Sequence, residues 1–223
     1  MGQHIQLSAK DGFAPGAYEA TAQGARAGVI VLQEIFGVNP HIRSVADRFA
    51  AAGYVAVAPA LFDRVQPGFE SGYSPEDVDA ARPFLKDFNW DNALADVDAA
   101  RAHLAAQGLK VGVVGFCLGG SLAFQSAARL DGISAAVSYY GGQIAPVADK
   151  MPRCPTMLHF GREDHSISME NVETIRERRP ELGIHLYDAG HGFNCDARAS
   201  YDEGSANLAW ARTMTLFSDA LGV

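Results

Sequence analysis

One cysteine, one aspartate and one histidine stand in surroundings suited to chemistry. Cys117 lies in Gly115-Phe116-Cys117-Leu118-Gly119-Gly120, directly after the valine-rich run Val111-Gly112-Val113-Val114. That run reads as a buried strand, and Ser121-Leu122-Ala123-Phe124-Gln125-Ser126-Ala127-Ala128 reads as a helix. The context is the strand–turn–helix that a G-x-S-x-G nucleophile needs, with sulfur in place of the hydroxyl. Flanking glycines let the two backbones approach closely around a strained turn. A thiol at a helix N-terminus is favoured as thiolate by the exposed N–H groups and the helix dipole. A plain structural cysteine in a glycine-rich turn would share this local pattern. Asp164, in Gly161-Arg162-Glu163-Asp164-His165, and His191, in Ala189-Gly190-His191-Gly192-Phe193, each follow a predicted strand. Taken singly, Asp164 reads more readily as a turn or capping aspartate, and His191 equally as part of a simple turn.

The elements that must position these groups alternate along the chain. Ile5-Gln6-Leu7-Ser8 and Ala17-Tyr18-Glu19-Ala20 flank Asp11-Gly12 and predict an antiparallel hairpin at a sheet edge. Val29-Ile30-Val31-Leu32 and Val55-Ala56-Val57-Ala58 read as buried strands. Between them, Asn39 as N-cap and Pro40 at the first helical position open a helix with Ile42, Val45, Ala46 and Phe49 inward. From Pro59 to Asn89 the pattern breaks down, apart from a short helix near Pro75-Glu76-Asp77. A connection of that length is either a lid or substrate loop, or a surface excursion with its own apolar cluster. Further helices are expected from Trp90 to Gly108, from Met169 to Arg179, and from Glu203 to Leu221. The last should turn Leu208, Ala211, Met214 and Phe217 inward. Strands are expected at Ala135–Tyr140, Thr156–Phe160 and Ile184–Tyr187. The alternation implies one domain over residues 1–223, built on a doubly wound, mostly parallel sheet with an antiparallel N-terminal edge hairpin.

Composition bounds the function. A net charge of −8 disfavours nucleic acid and anionic membranes as partners. No apolar run is long enough to span a bilayer, and Met1-Gly2-Gln3-His4 lacks the charged and apolar regions of a signal peptide, so a cytoplasmic location is expected. The three cysteines, Cys117, Cys154 and Cys195, are widely spaced and odd in number. That argues for reduced thiols rather than a disulfide framework or a zinc site. His159, Asp164, His165 and His191 match no standard metal spacing, and no metal is expected.

The carboxyl ends of parallel strands share one sheet edge, where ligands bind. Cys117, Asp164 and His191 can therefore converge although distant in sequence. Their order, nucleophile then acid then histidine, is that of the α/β hydrolases. Cys117 would be the nucleophile, His191 the base and proton donor, and Asp164 the group that holds the imidazole tautomer. Glu34 and Ile35 end another strand on the same edge. The backbone N–H groups of Leu118 and Ile35 are candidate oxyanion donors.

At these residues the sequence resembles the dienelactone hydrolase family, a cysteine branch of the α/β hydrolases. The motifs are Gln33-Glu34-Ile35-Phe36-Gly37-Val38-Asn39, Gly115-Phe116-Cys117-Leu118-Gly119-Gly120, Tyr139-Tyr140-Gly141, Gly161-Arg162-Glu163-Asp164-His165 and Ala189-Gly190-His191-Gly192-Phe193. The resemblance implies an α/β-hydrolase fold, a triad of Cys117, His191 and Asp164, and no cofactor. It also implies that Glu34 contacts the resting thiol and moves away when substrate binds. The implied reaction is hydrolysis of an enol-lactone in the breakdown of chlorocatechols or related aromatics. Phe36, Arg82, Tyr139 and Phe193 are candidates for contact with a small ester or lactone substrate. Two departures stand out. Family members that take dienelactone hold its carboxylate with two arginines, and here Cys195 and Val78 occupy those positions. Arg82 and Arg198 lie nearby without aligning, so the substrate is left open, as is any anionic group on it. Two other classes stay open: a redox-sensitive thiol protein using Cys117, and a catalytically silent binding domain on the same fold. The sequence leaves the oligomeric state open, a monomer among the options.

Overall fold

Strand β3 (Ala27–Leu32) and strand β4 (Val55–Pro59) are buried along their whole lengths, as continuous apolar runs should be when both faces of a sheet are covered. The computed structural model describes residues 2–86 and 88–223. Met1, and Asp87 within the 59–89 connection, lie outside the described residues. The chain divides into two compact units, Met1–Gly112 and Val113–Val223.

In the first unit, β1 (Gln3–Gln6) and β2 (Gly16–Thr21) form the expected antiparallel hairpin, with Ile5 opposite Ala17. β2 also pairs antiparallel with β4, and β3 pairs parallel with β4, giving the order β1-β2-β4-β3. The crossover between β3 and β4 is helix α1 (Pro40–Ala51). Asn39 caps it by accepting a hydrogen bond from the Ile42 N–H at 3.2 Å, and Ile42, Val45, Ala46 and Phe49 form its buried stripe, as their spacing predicts.

The 59–89 connection carries more structure than expected. Helix α2 (Pro75–Lys86) opens on a reciprocal pair: the Asp77 N–H donates to Ser74 Oγ, and the Ser74 N–H to Asp77 Oδ2. The stretch has its own apolar cluster, in which the Phe84 ring stacks 4.9 Å from Phe62 and lies 4.2 Å from Phe69. Arg64 ties it down from beneath, donating to both carboxylate oxygens of the fully buried Asp96 on helix α3 (Trp90–Ala105) and pairing with Asp11 at 2.8 Å. The first residues of β5 (Lys110–Phe116) end this unit.

The second unit continues β5 into helix α4 (Leu118–Arg129), in which every residue from Leu118 to Ala128 is buried. β6 (Ile133–Tyr139), β7 (Thr156–Gly161) and β8 (Gly183–Tyr187) follow. β6 pairs parallel with β7 and β7 with β8, in the order β5-β6-β7-β8. Helix α5 (Met169–Arg178) links β7 to β8, and helix α6 (Glu203–Leu221) closes the chain.

The inward face of α6 corrects the sequence expectation. Ala206, Ala209, Thr213, Phe217 and Leu221 are buried, whereas Leu208 is 48% exposed and Ala211 lies in solvent. Of the expected stripe, only Phe217 is among the buried residues. The reason is polar: Thr213 has hydroxyl partners waiting inside. Its Oγ1 lies 2.8 Å from the Tyr139 hydroxyl and 3.3 Å from His159 Nε2. A satisfied threonine flanked by alanines lets the helix seat closely, and an apolar count cannot see that pairing.

Among the described residues, no helix is long and apolar enough to cross a membrane.

Candidate active site

The turn between β5 and α4 places Cys117 at φ 54° and ψ −111°, a strained geometry for a residue with a side chain. Close packing of strand and helix enforces it. A Cβ added to Gly115 would lie 1.9 Å from the Gly119 carbonyl oxygen, and one on Gly120 would lie 2.4 Å from that of Tyr139. No larger residue fits either position. The Cys117 N–H donates to the Tyr139 carbonyl at 3.0 Å, which fixes the turn to the end of β6. Cys117 is half-buried, and it immediately precedes the first turn of α4, whose leading N–H groups have no intrahelical acceptor. Leu118, the candidate oxyanion donor, is the first residue of that turn.

The structure brings His191 and Asp164 together. His191 Nδ1 lies 2.7 Å from Asp164 Oδ2, and the Asp164 side chain is fully buried. The other carboxylate oxygen accepts from the Ser166 N–H at 2.7 Å and the Ile167 N–H at 3.1 Å. Asp164 is therefore locked by its own turn, so the turn reading and the orienting role coexist. His191 also hydrogen-bonds Cys117, which completes the chain of three. Burial pulls the imidazole pKa down, but hydrogen bonds and negative charge from Asp164 and Cys117 outweigh it and raise the pKa from 6.5 to about 10. The shift favours the imidazolium.

Loop residues hold the histidine from outside. Ser200 Oγ donates to the His191 carbonyl at 2.7 Å, and the Asp202 N–H donates to that of Phe193 at 3.1 Å. Asp202 in turn caps α6 through the Ser205 N–H. A cleft of about 880 Å³ opens on this side, bounded by Arg162, His165, Asp188, His191, Arg198 and Tyr201 among others.

The remaining candidates fall into distinct settings. Glu34, after β3 in the first unit, is almost fully buried. Its Oε2 accepts from the Tyr73 hydroxyl at 3.0 Å, and that hydroxyl accepts from Asn39 Nδ2 at 3.1 Å. Nothing in the sequence points to Tyr73 as a partner of Glu34. It lies in an irregular stretch, with no periodicity to tie it to a strand end far upstream. Ile35 is half-buried and Phe36 is buried, with its ring 4.7 Å from that of Tyr73. Tyr139 is a core residue: it is 1% exposed and its hydroxyl is taken by Thr213. Phe193 is fully buried against Tyr140 and Tyr187. Both therefore pack beneath the histidine loop, where a substrate cannot touch them without rearrangement. Arg82 lies on the exposed face of α2, paired with Asp79 in solvent. His159 is held in the core by the Tyr187 hydroxyl at 2.8 Å and by Thr213, and burial drives its pKa well below the usual value.

Parallel strand pairs in each unit with an antiparallel N-terminal hairpin, and a nucleophile turn, an acid and a histidine in that chain order, define an α/β hydrolase. Comparison with known proteins agrees. The model of the dienelactone hydrolase family matches residues 16–221. A Synechocystis protein provisionally named a carboxymethylenebutenolidase is 39% identical over 224 aligned positions, covering 91% of this chain and 90% of its own. The carboxymethylenebutenolidase of a Pseudomonas species is 34% identical, covering 95% of this chain and 93% of its own. The crystal structure of a Klebsiella pneumoniae protein provisionally named a dienelactone hydrolase superposes with a TM-score of 0.85 at 31% identity, covering 98% of this chain and 99% of that one. The chain belongs to the dienelactone hydrolase family.

Proposed function

We propose that this hydrolase cleaves an activated ester or enol-lactone through an acyl-cysteine intermediate. The observation that carries the reading is the Cys117–His191–Asp164 chain, with the thiol on a strained turn at a helix N-terminus. The Cys117 thiolate attacks the substrate carbonyl and a C–S bond forms. The oxyanion is stabilised by the Leu118 N–H, with the Ile35 N–H proposed as second donor. Collapse breaks the C–O bond, and the imidazolium of His191 gives its proton to the departing oxygen. The neutral imidazole then takes a proton from water as that water attacks the thioester. The carboxylic acid leaves and the thiolate–imidazolium pair is restored.

The leaving group must be a weak base. A thiolate is itself a good leaving group, so an ordinary alkoxide loses the competition to depart from the tetrahedral intermediate. An enolate or aryloxide leaves readily. That chemistry suits the lactones and esters of aromatic breakdown. Cys195 and Val78 stand where the resemblance places the two arginines of members that take dienelactone, Arg82 is in solvent and Arg198 bounds the cleft beside His191, so the proposed substrate is an activated ester or lactone whose acyl group is left open. Glu34 is proposed as the group that quiets the resting thiol. A mechanism run by a free thiol suits a reducing compartment, and the proposed location is the cytoplasm.

A panel of aryl and enol esters tested against native protein and Cys117→Ser checks the reading. Turnover by the native protein, with acylation trapped on Cys117, supports it. Peroxide-driven oxidation of Cys117 without ester turnover would favour the redox class. Binding without either would favour the silent domain.

A further inference from the structure

Among the described residues, two that are not glycine hold a positive φ: Cys117 at 54° and Tyr140 at 41°. The first is the nucleophile turn. The second has no part in the reaction as written above. A bulky residue in this conformation is a true outlier and persists only where its surroundings over-determine it.

Those surroundings all lead to the site. Tyr140 is fully buried. Its N–H donates to the His159 carbonyl at 2.8 Å, and the preceding carbonyl, that of Tyr139, accepts from the Cys117 N–H. Tyr139 is itself pinned through its hydroxyl to Thr213. The left-handed turn ends β6 and lays the Tyr140 ring against His191, with the ring centroids 5.0 Å apart and the planes tilted by 57°. Phe193 backs the ring at 5.4 Å, in an edge-on contact.

His191 needs such a wall. The bonds to Asp164 and Cys117 hold the two ends of the imidazole but leave it free to tip about the line between them. A ring packed against its side removes the freedom. A cation within ~6 Å of an aromatic centroid is also attracted to the ring face. We propose that Tyr140 is a positioning residue for His191: its strained backbone sets an aromatic wall that holds the imidazole between Asp164 and Cys117 and favours its charged form. Asp164, Cys117 and Tyr140 face the imidazole, the Arg198 guanidinium lies against the adjacent Gly192, and Arg162, Glu163, His165, Asp188, Tyr201 and Asp202 line the same cleft. The proposal rests on the acyl-cysteine reading for its catalytic meaning, but its test does not.

The experiment compares Tyr140→Phe and Tyr140→Leu in the full-length protein. Iodoacetamide alkylation of Cys117 is followed by mass spectrometry across pH, and turnover of an aryl ester is measured alongside. The upper inflection of the alkylation profile reports loss of the imidazolium proton. Tyr140→Phe should match the native protein in both assays. Tyr140→Leu should lower that inflection by about one pH unit and reduce kcat ~10–100-fold, with KM changed less than ~3-fold. Where Tyr140→Leu does not fold, Tyr140→Met fills the space flexibly and is read the same way. A folded Leu or Met variant with an unmoved inflection and near-native kcat overturns the proposal. So does a Phe variant that behaves like Leu, because the hydroxyl would then be the active element. If no ester is turned over yet the inflection still moves, the hydrolytic reading fails and the positioning of His191 stands.

Discussion

Asp164 reaches His191 with one carboxylate oxygen, at 2.7 Å from Nδ1, while its other oxygen is held by the Ser166 and Ile167 amides. The acid is thus anchored before it orients the base. Asp164→Asn should cut turnover of an aryl ester by ~10⁴-fold, because an amide can favour the wrong tautomer. His191→Ala should be at least as severe, as base and proton donor are lost together. Steady-state kinetics on folded variants measures both. A loss below tenfold for His191→Ala would refute its role.

The imidazolium gives stability a defined pH dependence. The folded pKa of His191 is raised, from 6.5 to about 10, so the protonated form is favoured by folding. Its contribution is complete below about pH 6.5 and is lost as pH rises through about 10. Urea unfolding of native protein and His191→Gln should therefore show a stability gap that narrows over that alkaline window. A gap that widens with rising pH would mean that the imidazole is neutral in the fold.

The three thiols should react in a set order. Cys117 is half-buried beside an imidazolium at a helix N-terminus, whereas Cys195 is fully buried. Burial pushes the Cys154 thiol up more than its Thr156 hydrogen bond lowers it. Limiting iodoacetamide at neutral pH should label Cys117 first, with Cys154 and Cys195 trailing by at least ~10-fold in rate. Peptide mapping decides, and preferential labelling of Cys195 would count against the assignment.

The proposed quieting of the thiol by Glu34 has its own test. A buried carboxylate disfavours a second negative charge nearby, and the Tyr73 hydroxyl holds this one in place. Glu34→Gln is expected to do two opposed things in one preparation: raise Cys117 alkylation or peroxide sensitivity in the empty enzyme, and lower turnover. Tyr73→Phe, which loosens the carboxylate, should shift both in the same directions by less. Normal turnover with an unchanged thiol would leave Glu34 without a gating role.

Local sequence was sufficient wherever the physics was local. Runs such as Val29–Leu32 have no polar face, so they could only be buried strands, and Asn39-Pro40 could only open a helix. Cys117, Asp164 and His191 were legible because each follows a strand, and parallel strands deliver their ends to one edge. Contacts across the fold were not legible. Thr213 pairs with Tyr139 and His159, which lie far from it in sequence, and that pairing turns α6 away from the face its leucine and methionine suggest. Tyr139 and Phe193 sit in motifs next to reactive groups, yet strand alternation and loop packing send their side chains into the core. Tyr73 meets Glu34 across 39 residues of sequence, through a stretch with no period to phase it. The positive φ of Tyr140 leaves no trace in composition, because tyrosine has no preference for it; the contacts around it, with β7, the nucleophile turn and Phe193, all come from distant sequence.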